Sequence, residues 1–140
     1  MRLVLDTNIF VSGLLTPRGA PGRLVRAWLE LRFELVTSSL QIDELRRVLR
    51  YERLRPYIDP DQARDFVENL EILAIVATDL PVLAVSPDPD DNVILAAAIA
   101  GAADAVVSGD KGDIVALGAV GGIPIITARD AVERLGLEEQ

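Results

Sequence analysis

The chain contains no cysteine and no histidine. The first absence removes disulfides, thiolate nucleophiles and thiolate zinc sites together. The second removes imidazole general bases, hydrolytic triads and the usual transition-metal ligands. Any acid–base or metal chemistry must therefore run on carboxylates, hydroxyls, amides and bound water. Oxygen-only ligation points to Mg²⁺ or Mn²⁺ rather than zinc. Aromatic residues are scarce, and Phe10, Trp28, Phe33, Tyr51, Tyr57 and Phe66 form no evident platform for stacking bases. Long apolar runs are also missing. The longest, around Val93 to Ala103, is too short and too alanine-rich to span a bilayer. Met1-Arg2 leads straight into a strand-like segment without a signal-peptide pattern. These features predict a soluble, cytoplasmic protein with no membrane partner.

What is present is a chain of 140 residues, half of them hydrophobic. A single domain over 1–140 is expected, burying roughly 68–70% of its unfolded surface. The net charge of −8 argues against tight binding of bulk nucleic acid. Clustered acids holding divalent cations would offset much of that charge. The 14 basic residues are all arginine except Lys111, and arginine is the better phosphate and base-stacking side chain. Arg18, Arg23 and the group Arg46, Arg47, Arg50, Arg53 and Arg55 are candidate phosphate contacts, with salt bridges expected for most of them.

Strand and helix patterns alternate from end to end. Strands are predicted at 2–5, 33–37, 75–78, 105–108 and 123–127. Helices are predicted at 8–15, 23–32, 40–50, from Asp59-Pro60 onward, 89–100 and 128–135, with a helical turn near 113–117. Residues 16–22 read as a loop broken by proline and glycine. Strands separated by helices imply an α/β fold with parallel pairing and right-handed crossovers. The pattern does not give the order of the strands.

Four acids stand where a strand ends or a helix begins or runs. Asp6 closes Leu3-Val4-Leu5, Glu44 lies on the border of an amphipathic helix, Asp91 follows Asp88-Pro89-Asp90, and Asp110 closes Ala105 to Gly109. In open α/β sheets the ligand crevice lies outside the carboxyl ends of the strands. Carboxylates converging there repel by about 1–4 kcal/mol per close pair, so such a group calls for a cation. Each acid also has a local role open to it. Asp6 can cap a helix, and Glu44 can be a solvated surface residue. Asp88, Asp90 and Asp91 suit a first helical turn behind Pro89, and Asp110 suits a turn.

Together these pieces resemble the PIN-domain family. The resemblance is carried by Val4-Leu5-Asp6-Thr7-Asn8, by Glu44 within Ser39 to Leu45, by Asp88-Pro89-Asp90-Asp91-Asn92, and by Val106-Val107-Ser108-Gly109-Asp110-Lys111. It covers nearly the whole chain. Ser12 to Leu24 is similar to the VapC-like toxin components of toxin–antitoxin pairs. The resemblance implies a three-layer α/β/α sandwich with a central parallel sheet. It also implies a Mg²⁺- or Mn²⁺-dependent endoribonuclease acting on RNA, a homodimer, and a small antitoxin partner. By position, Asp6, Glu44, Asp91 and Asp110 would be the catalytic, metal-binding acids. Thr7, Asn8 and Ser108 would support them or contact phosphate. Asp90 competes with Asp91, and Asp113 is separated from the last motif by Gly112.

Two other classes compete. A phosphoacceptor switch of the receiver type also gathers aspartates and Mg²⁺ at strand ends. It needs an acidic neighbour for Asp6 and an aspartate closing Phe33 to Thr37, and neither is present. A non-catalytic PIN-like binding or scaffold module is the remaining alternative.

Overall fold

Strand β1 (Arg2–Leu5) is buried on both faces, and this sets the layering of the molecule. In the computed structural model, which describes residues 1–109 and 113–137, Leu3 and Leu5 look toward one helical layer and Val4 toward the other. Such two-sided burial is what a parallel sheet covered by helices requires.

The remaining elements follow in order: α1 (Thr7–Leu15), α2 (Ala20–Leu29), β2 (Glu34–Thr37), α3 (Ser39–Val48), a 3₁₀ turn (Glu52–Leu54), α4 (Pro60–Leu73) and β3 (Ile75–Val76). After them come α5 (Pro89–Ala100), β4 (Ala105–Ser108), α6 (Asp113–Ala116), β5 (Ala119–Val120), β6 (Ile123–Thr127) and α7 (Ala128–Leu135). The sheet order is β3-β2-β1-β4-β6-β5. Val4 lies between Val36 and Val106, and every neighbouring pair is parallel except β5 with β6.

One face of the sheet packs Leu3, Leu5, Leu35, Val107 and Ile126 against α1, α2, α3, α4 and α7. Phe66 of α4 meets both Phe10 of α1 and Trp28 of α2 edge to face, at 5.7 and 6.0 Å between ring centroids. Phe10, Trp28 and Phe66 thus tie three helices together, each burial worth about 2–3 kcal/mol. The other face packs Val4, Val36, Val106 and Ile125 against Ile94, Leu95 and Ala98 of α5 and Ile114 of α6. The result is the expected three-layer α/β/α arrangement.

Three local expectations need correction. Residues 16–22 are not all loop, because α2 begins at Ala20 with Pro21 in its first turn. Proline is tolerated there since its missing N–H has no helical partner anyway. Gly22 lies in the helix, and glycine is required there because a Cβ would stand 2.2 Å from the Pro17 carbonyl oxygen. The predicted strand 75–78 shortens to Ile75–Val76. Finally, β5 adds an antiparallel edge through a two-residue turn at Gly121 and Gly122, both with positive φ (52° and 79°). That is the backbone a tight hairpin demands and glycine supplies.

Candidate metal centre

The sheet order places β1 beside β4 in its middle, with the crossovers leaving β1 and β4 toward opposite edges. This is the switch point at which open α/β sheets form their crevice. Asp6 and Ser108 occupy the carboxyl ends of these two strands. The Asp6 amide donates to the Val107 carbonyl at 2.9 Å, and Ser108 Oγ donates to Asp6 Oδ2 at 2.9 Å. Asp6 is also the N-cap of α1, its Oδ1 accepting from the Asn8 amide at 3.4 Å. Asp6 thus has the capping role foreseen for it, and its second oxygen, held by Ser108, lies at the crevice.

Helix α3 brings Glu44 to the same edge. Ser38 caps the helix by accepting from the Gln41 amide at 3.2 Å. The Gln41 side chain then bridges two strands, donating to the Leu5 carbonyl at 2.6 Å and accepting from Thr37 Oγ1 at 2.7 Å. This buried amide fixes α3 against the ends of β1 and β2. One turn on, Glu44 Oε1 accepts from Thr7 Oγ1. Asp43 is turned to solvent and pairs with Arg46.

The third contributor is the start of α5. Asp88 caps it, accepting from the Asp90 amide at 3.0 Å. Asp90 lines the same cleft as Glu44, and its proximity raises the Glu44 pKa. Asp91 is half-buried and accepts from Ser86 Oγ at 3.1 Å. The structure thus brings together Asp6, Thr7, Glu44, Asp88, Asp90 and Ser108. Asp110 lies outside the described residues, and Asp113 opens α6.

These carboxylates disturb one another. Burial raises the pKa of Asp6, helped by the charge of Asp88 and opposed by hydrogen bonds from Ser108, Asn8 and Thr7. Burial likewise pushes Glu44 up to about 7; the Thr7 hydroxyl opposes this, while the Asp90 hydrogen bond and the charges of Asp90 and Asp6 add to it. Ion pairs away from these acids join Arg2 with Glu34, Arg46 with Asp43 and Glu71, and Arg64 with Asp61 and Asp65. Among the described residues, no three acids are close enough as they stand to hold an ion. Mg²⁺, however, keeps most of its water and commonly takes one or two protein carboxylates. Hard oxygen donors and mutual repulsion together make a donor set that fits a hard divalent ion.

The PIN domain profile matches residues 2–112. The chain belongs to the PIN domain family. PIN domains are generally nucleases and typically use divalent metals, and the matched span includes Asp6, Glu44, Asp88, Asp90, Asp91 and Asp110 but not Asp113. The chain is also similar to an uncharacterized protein of Methanocaldococcus jannaschii, 25% identical over 118 residues, which cover 84% of this chain and 75% of that protein. No solved structure matches it. Among the described residues, no helix of this PIN domain is long and apolar enough to cross a membrane.

Sequence reasoning missed three residues that position the acids. Gln41 stands at the capping spacing Ser38-x-x-Gln41, which signals a helix start but not the strand bridge its side chain makes. Ser86 gave no signal. Asn92 follows the aspartates, and its side chain clamps the loop before α5. It accepts from the Val85 and Ser86 amides at 3.1 and 2.9 Å and donates to the Ser86 carbonyl at 2.9 Å. Replacing Asn92 with Ala removes all three bonds, and each is worth about 1 kcal/mol net. We expect roughly 10-fold weaker Mn²⁺ affinity in calorimetry, in the range for residues that orient ligands. Wild-type affinity would show that the loop is placed without Asn92.

Proposed function

We propose that this PIN domain is a Mg²⁺- or Mn²⁺-dependent endoribonuclease that hydrolyses RNA phosphodiester bonds. One observation carries this reading. Acids from β1, α3 and α5 converge at the switch point, with raised proton affinity at Asp6 and Glu44 and no basic side chain paired with Asp6, Glu44 or Asp90 among the described residues. Asp6 and Glu44 would hold the ion, with Asp90 or Asp91 from α5 and Asp110 from the end of β4. When bound, the ion would lower the pKa of an attacking water and stabilise charge on the phosphate. Ser108 orients the Asp6 carboxylate and Thr7 that of Glu44, so neither must reorganise when RNA arrives. Asn8 is exposed beside them, in reach of a phosphate. The absence of histidine is no obstacle, since carboxylates and water suffice.

The similarity of Ser12 to Leu24 to VapC-like proteins extends the proposal to the toxin of a toxin–antitoxin pair, acting as a homodimer and silenced by a small antitoxin. A second reading, a non-catalytic PIN-like binding module, is favoured by the lack of a ready-made acidic trio among the described residues. RNA incubated with the protein separates the two. Cleavage with Mg²⁺ or Mn²⁺ that stops on adding EDTA is the expected result. Intact RNA with either ion would support the binding module, and cleavage insensitive to EDTA would contradict both.

A further inference from the structure

We propose that the cleft between α3 and α5 seats the nucleotide next to the scissile bond of single-stranded RNA, with Arg47 holding that nucleotide's phosphate and Leu40 and Val93 packing on its base. This rests on the nuclease reading and adds a specific substrate contact to it. The cleft encloses about 220 Å³, and its lining includes Leu40, Asp43, Glu44, Arg47, Asp90 and Val93. One wall is therefore the carboxylate pair of the candidate centre itself, so a strand whose scissile phosphate lies at Glu44 must place a neighbouring nucleotide here.

Charge assigns the roles. Arg46 is committed, at 2.9 Å from both Asp43 and Glu71. Arg47 is exposed and, among the described residues, makes no ion pair. Asp43 is balanced by Arg46, and Glu44 with Asp90 would be balanced by the divalent ion. Among the described residues that line the cleft, Arg47 is then the positive charge left over, and guanidinium is well matched to phosphate. Leu40 on the first turn of α3 is 56% exposed, an apolar surface at the mouth of an otherwise charged cleft. Val93 is half-buried on α5. Among the described residues no aromatic side chain lines the cleft, so the base meets aliphatic surface there. Weak base preference at this position follows, because specific readout of single strands relies on stacking and edge hydrogen bonds.

Initial-rate cleavage of a fluorescein-labelled single-stranded RNA by the full chain with Mn²⁺, at several NaCl concentrations, tests this, alongside Mn²⁺ calorimetry. Arg47→Ala is expected to raise KM about tenfold, with a much smaller change in kcat and with Mn²⁺ affinity retained. One lost phosphate contact should flatten the slope of log KM against log salt concentration by about 0.7. Arg47→Lys should recover that slope, since charge alone sets it. Leu40→Ser should raise KM about threefold and leave the slope as in the wild type. The inference is overturned if Arg47→Ala keeps the wild-type KM and slope, or if it loses Mn²⁺ affinity and kcat together. A wild-type chain that neither binds Mn²⁺ nor cleaves RNA overturns the nuclease reading, and this inference with it.

Discussion

Asp6→Asn abolishes cleavage in this account, lowering kcat/KM by on the order of 10³-fold or more, the equivalent of about 4 kcal/mol of lost transition-state stabilisation. The substitution is nearly isosteric. The amide oxygen of asparagine still accepts a hydrogen bond, so either the Ser108 hydroxyl or the Asn8 amide keeps its partner. What disappears is the negative charge, which burial already disfavours at this position. The metal-free variant should therefore melt at or above the wild-type temperature while its Mn²⁺ affinity collapses. Thermal melts and single-turnover cleavage on the same preparation separate the two effects. An active Asp6→Asn protein would remove Asp6 from the chemistry. A variant that is both inactive and unfolded would make Asp6 a structural cap only.

The second large effect is in the pH dependence of the metal-free protein. Glu44 has its folded-state pKa raised from 4.5 to about 7. The folded state therefore holds a proton between those values that the unfolded state has released, and stability falls as pH rises through that window. The direction at Asp6 is the same. On a wholly buried group such a shift would be worth about 3 kcal/mol. Glu44 is half-buried, and solvent screening leaves about 1–2 kcal/mol. The metal-free protein should thus melt several degrees lower at pH 8 than at pH 5. Saturating Mn²⁺ should reverse the trend, because the ion binds the deprotonated carboxylates and stabilises by mass action. Melting curves at both pH values, with EDTA or Mn²⁺, read this directly. A metal-free protein more stable at pH 8, or indifference to Mn²⁺ there, would contradict it.

How much of this was visible in the chain depends on the range of the interaction involved. Residues 105–108, 123–127 and 89–100 form the predicted elements because their patterns are local: β-branched runs between breakers, and Asp88-Pro89 opening an alanine-rich helix. Asp6 was legible for the same reason, since a strand end in an α/β pattern has a known relation to the crevice. The start of α2 was not, because proline and glycine at 17–22 signal a break. Only the close approach of Gly22 to Pro17 shows why a glycine stands inside the first turn of α2. The choice between Asp90 and Asp91 was also beyond local pattern. They are adjacent in a first helical turn, and which one meets Glu44 depends on how α5 lies against α3. The bridge from Gln41 to Leu5 spans 36 residues and joins β1 to α3. No pattern within one helix could announce it.

The most direct measurement is a crystal of the protein soaked in Mn²⁺, with anomalous diffraction collected to locate the ion. A peak is expected at the carboxyl ends of β1 and β4, within about 2.0–2.3 Å of an Asp6 oxygen, with Glu44 or Asp90 beside it. Ordered density at those side chains with no peak between them, or a peak only at some other place on the molecule, would contradict it.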